Sequence, residues 1–336
     1  MYSGNNLEII AEIGVNHNGK VSIAKKLIDV AKKCGATAVK FQTYITDNFV
    51  LKKTKKVKYQ INNSKLSETH YEMLKKYELN KNDFQVIKKY CMKKQIEFIS
   101  TPYDLESVST LEKINVKRYK VASADIDDYL LHKKISKTNK KVIISTGMCT
   151  IKDIKRTVKL YKKKNITLLH CVSSYPCELN QSYVSRILEL KKIFQLPVGF
   201  SDHTTSYEPA IMAYATGARI FEKHITLSNK MSGPDHKASL NPQDFKKYVD
   251  KLRTAEKIFG KFKNIILPIE KNMKNTSSKS ITLTRNLKSG NKIKVTDIAM
   301  KRPGNGLEGF FVPKIVGKKL KKNMPADTQI KLQDLI

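Results

Sequence analysis

VGFSDHTTSYEPAIMAYATGARIFEKHITLSNKMSGPDHKASL, residues 198–240, carries two short apolar runs around a small-residue helical pattern. The first run ends in Ser201-Asp202-His203, and the helical pattern spans Tyr207 to Gly217. The second, Arg219 to Phe221, ends in Glu222-Lys223-His224. Strand, helix, strand is a βαβ unit whose right-handed crossover makes the two strands parallel. Neighbouring parallel strands deliver His203 and His224 to the same end of a sheet. Two imidazoles with carboxylates nearby suit a divalent metal. Taken singly, either histidine reads more simply as a ring bonded to a backbone carbonyl.

The same rhythm runs outward through the first 260 residues. Apolar runs at Leu7–Ile13, Ala38–Thr43, Glu97–Ser100, Arg118–Ala122, Lys141–Ser145, Ile166–Cys171, Pro197–Phe200 and Arg219–His224 read as strands covered on both faces. Each precedes a helical pattern. Ser22 is expected to cap the first helix, which Gly35 ends, and Asn82 or Asp83 to open FQVIKKYCMKK. Eight strand–helix units in this length predict an α/β (β/α)₈ TIM barrel over residues 1–260. An open doubly wound sheet is the competing fold. It fits less well, because polar clusters follow nearly every strand.

The connection Asp47–Thr69 is long and Lys-rich, and reads as a lid over the barrel mouth or as a disordered insertion. Residues 261–280 lose the α/β rhythm and read as a linker. Residues 281–336 alternate short strands with tight turns, a small β-rich domain.

The chain has 336 residues, 64 of them Lys or Arg against 30 Asp or Glu, for a net charge of +34. Such a charge attracts nucleic acid or anionic membrane. Only seven of these cations are arginine, however, and the lysines are scattered without an aromatic-studded stripe. Base readers use Arg and cluster their charge. We therefore expect no nucleic-acid partner and a solvated lysine surface, whose positive field would steer an anionic substrate. No apolar run has membrane-span length, no signal peptide opens the chain, and five cysteines form no CxxC pair. Those features predict a cytoplasmic protein with reduced, mostly buried thiols.

In such barrels the chemistry sits at the C-terminal strand ends. Those ends carry Glu12, Lys40, Gln42, Thr101, Lys120, Ser123, Asp125, Ser145, His170, Ser173, Tyr175, Ser201, His203, Lys223 and His224, with Asp235 in a following loop. Lys is almost never fully buried unless paired. Lys40, Lys120 and Lys223 lie inside apolar strands and are expected to converge on one polar centre. Hydroxyls from Thr101, Ser123, Ser145 and Ser201 complete a site for a phosphate plus a carboxylate. Internal pairing of a lysine with Glu12 or Glu222 is the plainer alternative, and a Schiff-base lysine is another.

The strings AEIGVNHNG, VKFQT, FISTP, YKVASAD, ISTGM, LLHCVSSYP, GFSDHT, EKHIT and GPDHKASL resemble the sialic acid synthase family. The terminal KRPGNGL and VGKKL are similar to that family's antifreeze-like SAF domain. The resemblance spans nearly the whole chain. It implies condensation of phosphoenolpyruvate with an N-acetylmannosamine-type sugar to a nine-carbon 2-keto acid such as N-acetylneuraminate, releasing phosphate. It also implies a divalent metal, Mn²⁺ first with Mg²⁺ or Co²⁺ admissible, and a domain-swapped homodimer. By the matching motifs, His203 and His224 hold the metal. Lys40, Thr101, Lys120, Ser123, Ser145 and Ser201 hold phosphoenolpyruvate. Gln42, Tyr175 and Asp235 bind the sugar, with Arg302 from the partner chain. Glu12 is the catalytic carboxylate, and Asp125 is a second one. Asp125 replaces the family's usual Glu, and Ser173 replaces an Asn of some members. The same motifs occur in legionaminic acid synthases, whose acceptor is 2,4-diacetamido-2,4,6-trideoxy-mannose, so the acceptor stays open between the two.

Overall fold

A computed structural model describes residues 7–57, 60–61, 68–260 and 264–336. The chain divides into two units, Met1–Gly260 and Lys261–Ile336. In the first, eight strands close a barrel in sequence order, β1-β2-β3-β4-β5-β6-β7-β8. They are β1 Glu8–Gly14, β2 Ala38–Thr43, β3 Glu97–Pro102, β4 Arg118–Val121, β5 Lys141–Ser145, β6 Ile166–His170, β7 Val198–Asp202 and β8 Ile220–His224. Every pairing is parallel, including β1 with β8.

Alternation along the strands sorts side chains into two cores. Outward residues such as Ile9, Val39, Phe98, Val121 and Phe221 pack under the helices in the larger cluster. Inward residues Ile10, Ala38, Ile99, Ile143, Leu169 and Ile220 form a separate layer inside the barrel. Two residues further along the same strands, that inward face becomes more polar, at Glu12, Lys40, Thr101, Ser145, Cys171 and Glu222, joined by Ser201 two residues beyond Gly199 on β7. The apolar layer is the floor of the site, and the polar layer is the site itself.

The helix Val21–Cys34 buries Ala24, Leu27, Ile28, Ala31 and Cys34, and stops where Gly35 turns left-handed at φ 94°. It begins two residues earlier than the sequence suggests. Lys20 precedes it without a side-chain cap, and Ser22 lies within the first turn instead of capping it. The helix Lys81–Lys93 is opened by Asn80, not by Asn82 or Asp83. Asn80 accepts from the N–H of Asp83, and Asp83 accepts from the N–H of Asn80. The start signal is this reciprocal spacing of three, which the polar residue nearest the apolar run obscures.

Part of the long connection after β2 falls outside the described residues. Of the rest, Thr46–Phe49 is helical, and Thr69 caps the helix His70–Tyr77 with a capping box to Glu72. Phe49, Val50, Tyr77 and Tyr103 pack against Val15, Tyr44, Met73 and Leu74 in an apolar cluster.

In the second unit β9 Ser280–Leu283 pairs antiparallel with β10 Ile298–Lys301. Isolated bridges such as Thr282 to Gln329 and Leu287 to Met324 extend the β character. Ile281, Leu283, Leu287, Ile293, Ile315, Leu320, Met324 and Ile330 make its core. The stretch read as a linker is partly helical, at Lys271–Ser277, and belongs to this unit.

Candidate active site

A cavity of about 400 Å³ opens at the C-terminal strand ends, above the apolar floor. One pole is lined by Glu12, Lys40, Lys120, Ser123, Ser145, Ser201 and Glu222. Lys40 Nζ lies 3.0 Å from Glu12 Oε2 and 3.6 Å from Glu222 Oε2, and donates to Thr101 Oγ1 at 3.3 Å. Lys120 Nζ donates to Ser145 Oγ at 2.6 Å and to the carbonyl of Val121 at 3.1 Å. Ser201 donates to Glu222 Oε1 at 2.9 Å. Gln42 Nε2 donates to Glu12 Oε1 at 3.2 Å. A shift of register between Glu12 and Gly14 turns β1 here, and Gly14 takes φ +53°, a conformation glycine adopts without strain.

The charges in this pole are unequal. Burial raises the pKa of Glu12; Lys40 opposes that, and Glu222 adds to it. Burial also works to raise Glu222, but Lys120 and Lys40 overcome it and hold Glu222 at about 2. Glu222 is therefore the fixed anion, and Glu12 is the carboxyl that can exchange a proton. Burial pulls Lys120 below its ordinary value, despite the opposing charge of Glu222. The Lys120 ammonium donates to neutral oxygens and meets Glu222 only through space, whereas Lys40 contacts both carboxylates.

Across the cavity, His203 and His224 stand with ring centroids 5.9 Å apart, and the Tyr175 ring lies 4.2 Å from His203. Nδ1 of His203 lies 2.6 Å from the carbonyl of Val172, an acceptor that fixes the proton on that nitrogen. Its Nε2 is then a lone-pair donor. Nδ1 of His224 is buried without a hydrogen-bond partner among the described residues. Burial lowers both, His203 to about 4, so both rings are neutral at pH 7. Among the described residues no group of three or more His, Cys, Asp or Glu is arranged to hold a metal. Two neutral imidazoles, one with a buried nitrogen lacking a partner among the described residues, nonetheless fit a divalent ion, which would need further donors from substrate or water.

Residues 27–264 match the NeuB family model, and residues 278–336 match the SAF domain. The chain belongs to the NeuB family. Among its relatives, the N,N'-diacetyllegionaminic acid synthase of Campylobacter jejuni is 39% identical, over 96% of this chain and 98% of that protein. The Legionella pneumophila enzyme of the same name is also 39% identical, over 96% of this chain and 92% of that one. A crystal structure of N-acetylneuraminic acid (sialic acid) synthetase from Leptospira borgpetersenii superposes with a TM-score of 0.71 at 33% identity, covering 80% of this chain and 91% of that one. As a NeuB family member the chain is an enzyme, a nonulosonate synthase.

Of the NeuB-type site residues expected from sequence, Glu12, Lys40, Gln42, Lys120, Ser123, Ser145, Tyr175, Ser201, His203, His224 and Asp235 line the one cavity. Thr101 stands behind it, accepting from Lys40. Arg302 is exposed on the second unit, beside a turn anchored by Ser280 Oγ and Gln329 Nε2, which donate to the Pro303 carbonyl. His170 faces away from the barrel interior, its Nε2 2.7 Å from the Ser182 carbonyl. Three expectations change. Lys223 does not join the other lysines. It shares the outward parity of Phe221, and its ammonium pairs with Asp202 at 3.1 Å. Asp125 does not line the cavity; its Oδ2 is buried with no partner among the described residues. Glu222, read from sequence only as a possible internal partner, is a cavity wall. Phe49, Met73, Leu74 and Tyr103 were missed altogether; together with Val15 they give the cavity an apolar surface, beside Gln60 and His70.

Asp125 offers a test of its burial. Desolvation, with repulsion from Asp128, raises its pKa from 3.8 to about 7. Below about pH 4 it is protonated in both folded and unfolded chains. Between about 4 and 7 only the unfolded chain releases the proton, so stability falls as pH rises through that window. Asp125→Asn should therefore gain stability relative to the native chain at pH 8 compared with pH 4, by up to about 4 kcal/mol. Urea unfolding at both pH values checks this; a difference that does not change with pH would show that Asp125 is solvated.

Proposed function

We propose that this enzyme condenses phosphoenolpyruvate with an N-acetylmannosamine-type aldose and water, giving a nine-carbon 2-keto sugar acid and phosphate. The observation that carries this reading is the convergence of two ammonium groups, two unequal carboxyls and two neutral imidazoles in one cavity. Lys40, Lys120, Ser123, Ser145 and Ser201 receive the phosphate and carboxylate of phosphoenolpyruvate. Tyr175, Gln42 and Asp235 orient the open-chain sugar so that its aldehyde carbon faces C3 of phosphoenolpyruvate. C3 bonds to that carbon with the electrons of the C2–C3 double bond, and the aldehyde C=O opens as its oxygen takes up a proton to become a hydroxyl. Water adds at the electron-deficient C2 as Glu12 takes its proton. Phosphate leaves with cleavage of its C2–O bond, and the C2 carbonyl remains. A divalent ion at His203 and His224, Mn²⁺ in this reading, supplies Lewis-acid polarisation of the aldehyde when bound. Arg302 of a second copy completes the sugar site in this reading, and an active monomer in sedimentation would remove that part.

The apolar surface of the cavity favours one acceptor. Phe49, Met73 and Leu74 offer apolar surface that suits the methyl groups of 2,4-diacetamido-2,4,6-trideoxy-mannose, while Tyr103, Gln60 and His70 in the same lining can meet its polar groups. The two legionaminic acid synthases at 39% identity support the same choice. The test is phosphate release from phosphoenolpyruvate with each sugar. We expect turnover to vanish in chelator and to return with Mn²⁺. We also expect the diacetamido sugar to lead N-acetylmannosamine by about tenfold in kcat/KM. Full activity in chelator removes the metal role, and preference for N-acetylmannosamine restores the sialic acid reading.

A further inference from the structure

Asp202 and Lys223 are each 1% exposed, and no step of the proposed reaction uses them. They are register partners on β7 and β8, and each immediately precedes one of the two histidines. Their side chains occupy the outer face of the barrel wall, where Lys223 Nζ lies 5.2 Å from the Tyr248 ring of the helix Pro242–Phe259.

The Tyr248 hydroxyl of that helix faces Asp202; the other polar contacts of the two side chains among the described residues close on one short segment. Lys223 Nζ meets Asp202 Oδ2 at 3.1 Å and donates to the carbonyl of Thr204. Asp202 Oδ1 accepts from the N–H of Thr204 at 2.9 Å and from its hydroxyl at 2.8 Å. The turn that carries His203 is thus tied at both sides to the strand end that carries His224. A buried ion pair is a poor source of stability, because desolvation offsets the attraction, but it is well suited to fixing register.

We infer that the Asp202–Lys223 pair is a positioning device that holds His203 and His224 at the spacing needed to share one divalent ion. The inference rests on the metal reading of those histidines. It assigns a function to the third strand-borne lysine, which the anion site does not employ. It also explains why an ammonium and a carboxylate occupy an otherwise apolar layer beneath the helix.

The experiment is Mn²⁺ titration calorimetry on the full-length chain after chelation, for the native sequence and for Asp202→Asn/Lys223→Met together. Removing both charges avoids stranding one of them in the core. The double variant should unfold in chelator close to the native midpoint, yet bind Mn²⁺ at least tenfold more weakly. Its activation constant for Mn²⁺ should rise, with KM for phosphoenolpyruvate unchanged. A folded double variant within twofold of native affinity overturns the inference and leaves the metal reading standing. A native chain that binds no Mn²⁺ overturns both. Should the double variant not fold, Thr204→Val decides. It deletes the 2.8 Å hydroxyl contact to Asp202, together with longer contacts to the Ser206 backbone, while leaving both charges in place, and should weaken Mn²⁺ binding about threefold or more; native affinity overturns the inference.

Discussion

Lys120→Met should weaken phosphoenolpyruvate binding by about 30- to 1000-fold, while affinity for the acceptor sugar holds within about threefold. The substitution removes a charge-assisted bond from a desolvated anion, a loss of about 2–4 kcal/mol. Lys120 is a sharper test than Lys40. Lys40 is held between Glu12 and Glu222, so its removal also leaves two buried carboxyls to repel each other. Lys120 donates to Ser145 and to the Val121 carbonyl, both neutral. Methionine keeps the length and apolar stem, so the strand packing is retained. Calorimetric titration with each substrate separates the two affinities, and equal losses for both would move Lys120 out of the anion site.

The second large effect falls on turnover. Glu12→Gln should lower kcat by about 10²- to 10⁴-fold, the range for loss of a general base, with phosphoenolpyruvate affinity little changed. The pH profile gives the sharper signature. Burial raises Glu12 above the ordinary carboxylate range, with Glu222 adding to it and Lys40 opposing. A base must be ionised to act, so kcat in the native enzyme should fall as pH drops through that raised value. The glutamine variant should lose this limb from its small residual rate. Phosphate release measured across about pH 5 to 9 reads both effects. A variant that keeps native turnover would place the base elsewhere, and Asp235, raised to about 7 by burial and by Glu12, is the neighbouring carboxyl to examine.

Much of this protein is written in periods. Apolar runs with helical patterns between them determine eight βα units, because a strand covered on both faces has no polar side to show. Alternation then sorts each strand. Glu12, Lys40, Thr101, Lys120, Ser145, Ser201 and Glu222 each lie two residues beyond an inward position, so their convergence follows from sequence once the barrel is accepted. The same parity separates Lys223 from His224 and Asp202 from His203. That separation is legible only when the strand is read residue by residue, not as a polar cluster at its end. The capping box at Asn80 is local too, and its spacing alone identifies the helix start.

Other features depend on distance through space. Asp125 stands two residues past the cavity-lining Ser123, yet the 3₁₀ turn Ser123–Asp125 carries it away from the cavity, beside Asp128. Nothing in its neighbours along the chain encodes that rotation. Phe49, Met73, Leu74 and Tyr103 come from two separate connections, and only their packing in the folded chain makes them one apolar wall. Which of two buried glutamates stays ionised is likewise a tertiary matter. Glu222 faces Lys120, Lys40 and a serine hydroxyl, whereas Glu12 must share Lys40 with it, and Coulomb attraction over a few ångströms sets their different proton affinities. Sequence period determined which residues face inward; the closure of the barrel decided which charges meet.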